Sequence, residues 1–427
     1  MVIREYSKVE LVFSSSESEA VKIALVNLRR DLIRTLDCSV TAGGIIRILV
    51  GTVGNLPELD EKADISKLRA EDGTYRKEAF LIQEKDGELL IAGTDRRGTI
   101  YGIYDFCEWL GVSPWYFFAD VPVRRRSEAV IENGYCKVDY PSVEYRGIFI
   151  NDEEELEHWV WRYMGETTIG VKTYEKIFEL LLRLKLNYIW PAMHVNSFNL
   201  KQENGALANR MGIVVGTSHC DMLMRSNNRE WKPWLAKKGY TDVEYDFSIP
   251  GRNREILKEY WRESVEQNRD FEVSYTVGMR GIHDSGFETK SLEGLTGEKL
   301  LKAKIELLES VMAAQQEILS ETLDIEPMKT FVPYKEVLEL YDNGLKVPED
   351  LTLIWTNDNY GYVRRYPGEK EKARKSGNGI YYHNSALTNG AGDNSYRYAG
   401  ASNSVNNYIC LGSDTTTCPD ANLFRII

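Results

Sequence analysis

The chain has 427 residues, of which 43% are hydrophobic and 28% charged, an ordinary balance for a soluble globular protein. This length exceeds that of one compact domain and suits two or three. The formal net charge of −12, from 65 acidic and 53 basic residues, argues against nucleic acid or an anionic membrane as the main partner, because both attract clustered Lys and Arg.

The N-terminus and the cysteines indicate the compartment. The first residues are polar, with no apolar signal region, and no stretch approaches the ~18–20 apolar residues of a membrane span. The six Cys show no close pairing, and Cys107 lies in an apolar helical pattern that predicts a buried free thiol. We therefore expect a cytoplasmic protein without a membrane partner, or a secreted one if the N-terminus is incomplete.

Residues 1–140 are predicted to form a small α+β domain. Asp86-Gly87 is a hairpin signal between two strands, Thr94 or Asp95 can cap the helix that follows, and Gly111 can end it. The predicted elements are helices over 20–36 and 98–110 and strands over 45–51, 79–84 and 88–93.

From residue 141 onward, short strands alternate with amphipathic helices. The predicted strands are 145–150, 187–193, 212–218, 272–278, 329–333, 351–356 and 379–383, and the predicted helices are 173–185, 251–268, 297–323 and 336–343. This alternation is typical of a parallel sheet. We predict an α/β fold of the TIM type, a (β/α)8 barrel over residues 141–383, in which the eighth unit is missing or degenerate because only seven strands are found.

Residues 384–427 are dominated by Asn, Gly, Ser and Thr and contain neither Lys nor Glu. We interpret them as an atypical low-complexity tail of a C-terminally truncated barrel protein. A disordered natural tail is the alternative interpretation.

The histidines point to one end of the predicted barrel. In parallel barrels, catalytic groups come from the C-terminal ends of strands and the loops that follow. Four of the five His fall at such ends: His194, His219, His283 and His383. Random placement would seldom give this pattern, although each histidine alone is equally well explained by a structural hydrogen bond.

Carboxylates at the same strand ends suggest glycoside hydrolysis. This reaction needs one carboxylic acid to protonate the leaving oxygen and one carboxylate to activate water or attack carbon. The candidates are Asp152, Asp284, Glu336 and Asp358, although Asp also caps helices at such loops. Arg280 and Lys335 each lie beside a candidate and could bind an anionic sugar or pair with that neighbour.

A metal site competes for some of these residues. His219, Asp221, His283 and Asp284 could form a His/carboxylate set. No HExxH spacing supports it, and the chain lacks a phosphate-binding glycine loop. We expect neither a metal nor a cofactor.

Several long motifs in order resemble one enzyme family. They are GTDRRGTIYGIYDFCEWLGVSPWYFFADVPV (93–123), YRGIFINDEEEL (145–156), KLNYIWPAMH (185–194), GTSHCDMLMRS (216–226), GMRGIHDSGF (278–287), VPYKEVLELYDNGL (332–345) and LIWTNDNYGYVRR (353–365). Over about residues 75–383 the sequence is similar to the xylan α-1,2-glucuronidases of glycoside hydrolase family 115.

The resemblance implies a fold and an activity. It implies an N-terminal α+β domain, a catalytic (β/α)8 barrel, further C-terminal domains and, in many members, a homodimer. It also implies an inverting hydrolase, without a metal cofactor, that removes α-1,2-linked (4-O-methyl-)glucuronic acid from glucuronoxylan or its oligosaccharides.

The same resemblance implies roles for single residues. Glu336 would be the general acid, and Asp284 or Asp152 the base that orients water. Arg280 and Tyr334 would hold the glucuronate. The remaining substrate-binding positions implied are Asn151, Trp190, His194, His219, Lys335, Asp358 and His383.

The sequence departs from the family pattern at three places. His219-Cys220-Asp221 stands where many members have two His and a Glu, and Asn357-Asp358-Asn359 where many have Asp-Asp-Asn. The aromatic stretch expected after His383 is replaced by Asn-Ser-Ala-Leu-Thr. Two alternatives therefore stay open: a non-catalytic carbohydrate-binding remnant, and a related barrel glycosidase such as a hexosaminidase-like enzyme.

Overall fold

The computed structural model describes residues 1–150, 153–358, 362–382 and 407–412, the last segment as a backbone strand. The chain divides into two compact units. The first contains Met1–Ser142, Glu175–Asn187 and Arg210–Gly212, and the second contains Val143–Tyr174, Tyr188–Asn209 and the chain from Ile213 onward. The predicted boundaries near residues 140 and 383 stay predictions.

The first unit is built on a mixed sheet. Its strands are β1 (Val2–Arg4), β2 (Lys8–Val12), β3 (Ser39–Val40), β4 (Ile46–Thr52), β5 (Phe80–Lys85), β6 (Glu88–Gly93), β7 (Glu128–Val130) and β8 (Cys136–Asp139), with helices α1 (Glu19–Leu36), α2 (Pro57–Lys62) and α3 (Arg96–Leu110). Six strands pair in the order β3-β2-β4-β6-β5-β8, while β1 pairs with β7. The neighbouring strands β3, β2, β4 and β6 pair in parallel, whereas β5 runs antiparallel to both of its neighbours, β6 and β8.

Local sequence signals in this unit are confirmed. Asp86 and Gly87 connect β5 to β6 with φ of 54° and 81°, as a two-residue hairpin with both central residues left-handed requires. The Asp95 side chain accepts the N–H groups of Arg97 and Gly98, and α3 ends at Gly111 with φ of 114°. The helix begins at Asp95 because that carboxylate satisfies two otherwise unpaired donors.

A buried ion network lies inside the first unit. The Arg183 guanidinium lies 2.6 Å from Asp31 and 3.0 Å from Glu179, and all three side chains are at most 4% exposed. Arg30 also contacts Glu179, at 2.6 Å. Because Arg183 is the buried cation between two buried carboxylates, its removal would leave them paired only with partly exposed cations such as Arg30.

The second unit contains the alternating elements. Its strands are β9 (Tyr145–Phe149), β10 (Tyr188–Trp190), β11 (Val214–Val215), β12 (Ser274–Thr276), β13 (Met328–Phe331), β14 (Thr352–Thr356), β15 (Asn378–Tyr382) and β16 (Asn407–Gly412). The remaining helices in chain order are α4 (Glu154–Trp159), α5 (Val171–Arg183), α6 (Gln202–Met211), α7 (Trp231–Lys238), α8 (Arg252–Asn268), α9 (Gly297–Thr322), α10 (Glu336–Asp342) and α11 (Glu369–Lys372). The α5 helix is shared between the residue ranges of the two units.

The large sheet of the second unit has eight strands in the order β11-β10-β9-β16-β15-β14-β13-β12. Its two end strands are joined by a parallel bridge between Val215 and Val273. Strands β9 to β11 pair in parallel, as do β12 to β15. The β16 strand runs antiparallel to both of its neighbours, β9 and β15.

The predicted α/β class is confirmed, and each of the seven predicted strands overlaps an observed strand. The eighth position, predicted to be missing or degenerate, is filled by β16, an antiparallel strand within the segment interpreted as a tail. Helices α4, α6, α7 and α11 were not predicted. None of the helices within the described ranges is long and apolar enough to cross a membrane.

Aromatic residues fill the centre of this sheet. Trp190 is fully buried and its ring packs against those of Phe149 and Tyr381, with centroids 5.4 and 5.2 Å away. The Tyr188 hydroxyl pairs with the Ser274 hydroxyl at 2.5 Å. This contact ties β10 to β12, which are not neighbours in the sheet, so the core fixes the strands that end at the candidate site.

We expect the substitution Arg183→Met to lower the free energy of unfolding by about 3 kcal/mol, because two buried carboxylates would lose their buried partner and keep only partly exposed cations such as Arg30. Urea denaturation followed by circular dichroism measures this. The control is Arg4→Met, since Arg4 forms a 3.6 Å pair with Glu128 in which the side chains are 72% and 49% exposed. Its loss should cost less than ~1 kcal/mol. Equal effects of the two substitutions would contradict the prediction.

Candidate active site

The loop after β12 brings charged residues to the C-terminal edge of the sheet. Gly278 is held at both its N–H and its C=O by the buried side chain of Gln315 on α9, at 2.8 and 2.9 Å. The loop then turns sharply, because His283 and Asp284 have φ of 61° and 56°. Two consecutive non-glycine residues in the left-handed region are a strained arrangement of the kind found at binding and catalytic sites.

Asp284 is the centre of a cluster of basic groups. Its Oδ1 lies 2.6 Å from Arg280 Nε and 3.1 Å from His219 Nε2, and its Oδ2 lies 2.9 Å from Lys335 Nζ. These partners come from three strand ends, β11, β12 and β13. The predicted convergence of Asp284, Arg280, His219 and Lys335 is therefore observed.

Glu336 belongs to the same cluster through Arg280. Arg280 Nη1 lies 2.9 Å from Glu336 Oε1, which also accepts the N–H of Phe287 at 3.2 Å. One guanidinium thus contacts both candidate carboxylates, so their contacting oxygens lie no more than about 8 Å apart. Each carboxylate side chain is 26% exposed, whereas that of Arg280 is only 3% exposed.

The buried guanidinium is not saturated by these contacts. Arg280 Nη2 donates to the Asp284 carbonyl at 3.2 Å. Its Nε and Nη1 are close to the carboxylates, but their N–H bonds are not directed at any acceptor among the described residues. The charge of Arg280 is therefore compensated by ion pairs whose hydrogen-bond geometry is imperfect.

The ionisation of Asp284 follows from its neighbours. Burial favours the neutral acid, but the hydrogen bond and charge of His219 and the charges of Lys335 and Arg280 outweigh it, and the pKa of Asp284 lies well below its usual value. Asp284 is therefore a carboxylate near neutral pH. Burial also lowers the pKa of His219, against the opposing effect of Asp284, so the neutral imidazole is favoured.

The aromatic candidates lie behind this cluster. The Tyr334 ring packs edge-on against His219, with centroids 4.5 Å apart, and Tyr334 also packs on the aromatic core that contains Trp190. Trp190 is 0% exposed, so it offers no free face to a sugar and lies beneath Tyr334 as a core residue. Burial raises the pKa of Tyr334, so its hydroxyl stays neutral.

Two other candidates lie at the edge of the cluster. The His194 ring stacks on His283, with centroids 4.2 Å apart, beside Asp284. Asp358 accepts the N–H of Tyr362 at 2.9 Å and pairs with Arg364. Asn151, Asp152 and His383 lie outside the described residues.

Sequence reasoning missed residues that hold the loops in place. The Glu153 carboxylate, 1% exposed, accepts the N–H groups of His194, Val195 and Asn196 at 2.5–2.8 Å. Burial raises the pKa of Glu153, although these hydrogen bonds oppose the shift. The only sequence signal for it was its place in the acidic run after the first predicted strand.

Asn227 links two loops of the cluster and was also missed. Its amide nitrogen donates to the carbonyls of Cys220 and Gly281, and its oxygen accepts the N–H of His283 at 3.3 Å. It thereby supports the strained turn before Asp284. Nothing in the spacing of the surrounding polar residues indicated this role.

The alternative of a metal centre finds no geometric support in the part of the chain that the structure describes. No group of three or more His, Cys, Asp or Glu side chains there is placed to hold an ion. His219 contacts Asp284, whereas Asp221 contacts Cys220 and Ser218.

Comparison with known proteins adds to this geometry. Residues 138–403 match the family described as glycosyl hydrolase family 115. A solved structure of BtGH115A, a GH115 4-O-methyl-α-glucuronidase with specificity for decorated arabinogalactans, is similar at 35% identity and a TM-score of 0.78. The match covers 89% of this chain and 49% of that one, so the chain spans about half the length of this relative.

More distant structures also match. They include a GH138 enzyme that targets pectin rhamnogalacturonan II (13% identity, TM-score 0.45, 83% of this chain and 38% of that one). A β-N-acetylhexosaminidase from Bacteroides fragilis has 14% identity and a TM-score of 0.47 over 84% and 67% of the two chains. No curated protein matches the sequence.

The lowered pKa of His219 predicts a pH dependence of stability. The pKa of His219 is lower in the folded protein than its value of about 6.5 in the unfolded chain. Between these two pKa values the unfolded chain binds more protons than the folded protein. The contribution of His219 to stability is therefore complete above pH ~6.5 and is lost as the pH falls through the folded pKa. The variant His219→Gln cannot titrate. Its melting temperature should therefore fall less than that of the wild type between pH 8 and about pH 5. If scanning calorimetry shows that the melting temperatures of the variant and the wild type fall by the same amount over this pH range, the lowered pKa of His219 is contradicted.

Proposed function

The chain belongs to glycosyl hydrolase family 115, and we propose that it removes (4-O-methyl-)glucuronic acid branches from a plant polysaccharide. The observation on which this rests most is the contact of Arg280 with both Asp284 and Glu336. Two partly exposed carboxylates joined by a buried cation supply the acid and base groups of glycoside hydrolysis within one site.

The charge distribution supports an acidic sugar as the substrate. Arg280 and Lys335 add two positive charges beside the carboxylates. Cations of this kind suit the carboxylate of a uronic acid, with which they can form charge-assisted hydrogen bonds. Lys335 is the more accessible of the two, because its side chain is 44% exposed whereas that of Arg280 is 3% exposed.

The roles of the two carboxylates follow from their surroundings. Asp284 stays ionised, which suits a base that orients water and excludes it as the proton donor near neutral pH. The family resemblance assigns the role of general acid to Glu336, which contacts the same guanidinium. The bound of about 8 Å between their oxygens admits both the ~6.5–9.5 Å of an inverting site and the ~5–5.5 Å of a retaining one, so inversion is proposed on the family resemblance. Asp152 remains the alternative base.

We extend the proposal to the fold around the site. The strand order and the Val215–Val273 bridge support a closed barrel of the (β/α)8 type. In this barrel β16 takes the place of one βα unit. Active sites of such barrels lie at the C-terminal edge of the parallel strands, where Arg280 and Lys335 follow β12 and β13.

Two polysaccharides are candidates for the substrate. The sequence resemblance favours glucuronoxylan with α-1,2-linked branches, and the stated specificity of BtGH115A favours decorated arabinogalactan. Incubation of the full chain with each polymer, followed by chromatography of free uronic acid, tests the proposal. We expect release from at least one of them and none from the same polymers after removal of their uronic acids. Binding without release from either would instead support a non-catalytic protein.

The substitution Glu336→Gln should lower kcat on the active polymer by about 10²- to 10⁴-fold, because the amide cannot donate the proton to the leaving oxygen. The matched control is Glu339→Gln, an exposed position on the same short helix α10, which should keep wild-type turnover. Near-normal turnover of Glu336→Gln would remove Glu336 from the acid role.

A further inference from the structure

A buried asparagine joins two loops of the candidate active site. Asn227 is 2% exposed, and its amide nitrogen donates to the carbonyl of Cys220 at 3.0 Å and to that of Gly281 at 3.3 Å. Its amide oxygen accepts the N–H of His283 at 3.3 Å. Cys220 lies on the loop after β11, whereas Gly281 and His283 lie on the loop after β12. One side chain therefore binds the backbone of both loops.

The segment around Asn227 is itself fixed on a third loop, the one after β10. On one side, the Ser226 hydroxyl donates to the carbonyl of Met193 at 2.6 Å. On the other side, the Asn228 amide donates to the carbonyl of His194 at 3.1 Å. Both chain neighbours of Asn227 are thus anchored, so its side chain is a fixed point against which the other two loops are placed.

These contacts lie next to the pair formed by His219 and Asp284. Cys220 directly follows His219, and His283 directly precedes Asp284. Each member of the pair is therefore one residue away from a backbone group that Asn227 binds. The 3.1 Å distance from His219 Nε2 to Asp284 Oδ1 depends on the relative position of the two loops, which Asn227 fixes.

The contact between His219 and Asp284 has a chemical consequence. Burial raises the pKa of Asp284, and the hydrogen bond from His219 is the largest of the effects that oppose burial and lower it. Because the carboxylate can only accept, the neutral imidazole donates to it through Nε2. Arg280 contacts the same oxygen, and Lys335 contacts the other one. His219 thus helps to fix the orientation of the carboxylate that directs water in the proposed reaction.

We propose that Asn227 is a positioning residue for the hydrolysis, which holds the His219 loop against the Asp284 loop so that His219 fixes the orientation of the base. This inference rests on the proposed function. The loss of Asn227 would change where the imidazole and the carboxylate lie relative to each other. A displacement of ~1 Å at a catalytic group can lower a rate by about 10²-fold.

A double-substitution cycle tests this role. Asn227→Ala removes the amide, and His219→Leu keeps an apolar side chain in place of the imidazole but removes its donor. We expect Asn227→Ala to lower kcat on the active polymer by about 10- to 10²-fold and to leave KM within about twofold, because the base is misplaced while binding is retained. In the His219→Leu background, Asn227→Ala should lower kcat by less than about threefold, since the contact that it positions is already lost.

The matched control is Asn228→Ala. Asn228 is the next residue in the chain and also donates to a loop carbonyl, but its amide binds the loop after β10. Its substitution should change kcat by the same factor in both backgrounds. Asn227→Ser keeps one polar group, should have an intermediate effect, and replaces Asn227→Ala if that variant does not fold. All rates are measured well below each variant's melting temperature, so that unfolding does not lower kcat.

Two kinetic outcomes overturn the inference. If Asn227→Ala lowers kcat by the same factor in the wild-type and His219→Leu backgrounds, Asn227 has only a structural role. An unchanged kcat in Asn227→Ala or in His219→Leu also rejects the positioning role.

Nuclear magnetic resonance tests the loop arrangement without turnover. The Nε2–H signal of His219, identified by its loss in His219→Leu, should be protected from exchange with water in the wild type and in Asn228→Ala. It should be lost in Asn227→Ala, and its persistence there would overturn the inference. If the wild type releases no uronic acid, the proposed function fails, and this signal alone still shows whether Asn227 places His219 on Asp284.

Discussion

The buried guanidinium of Arg280 is the constraint on which the candidate site depends. A charge that is 3% exposed must be compensated, and here two carboxylates from different strand ends do so. That requirement holds the loop after β12 against the start of α10. It also leaves the charges of the site balanced, since Arg280 and Lys335 face Asp284 and Glu336 while the neutral imidazole of His219 hydrogen-bonds Asp284. The contacts that compensate the buried charge therefore also fix the positions of the two carboxylates.

Backbone strain at the site has visible support. Lys335 has φ of 50° and ψ of −126°, which is less usual for its residue type than the positive φ of His283 and Asp284. Asn227 and Gln315 bind the backbone on either side of the strained turn, and both are at most 2% exposed. Strain of this kind persists only where surrounding contacts over-determine the conformation. The position of Asp284 therefore depends on Asn227 and Gln315, which bind the backbone of its loop.

Local sequence patterns allowed much of this fold to be predicted, and the elements that were missed depend on pairing with distant parts of the chain. The seven parallel strands and the α8 and α9 helices were found because their apolar periodicity and flanking turns are encoded within each segment. The β16 strand was missed because its neighbours β9 and β15 supply the hydrogen bonds, and its Asn- and Gly-rich surroundings suggested a tail. At the site, strand-end positions predicted that Asp284, Arg280, His219 and Lys335 would meet. The burial of Trp190 and the loop-holding roles of Glu153 and Asn227 depend on side-chain packing, which spacing does not specify.

The reversed direction of β16 changes how the chain reaches the rim. Its first residues, Asn407 and Tyr408, pair with Phe149 and Tyr382 at the C-terminal ends of β9 and β15. At this position the chain enters the sheet from the rim, whereas each parallel strand leaves the sheet there. Catalytic groups of parallel barrels lie on the segments that follow strands. In this one sector the rim instead receives the segment that precedes a strand, so a group contributed from there reaches the opening from the opposite chain direction.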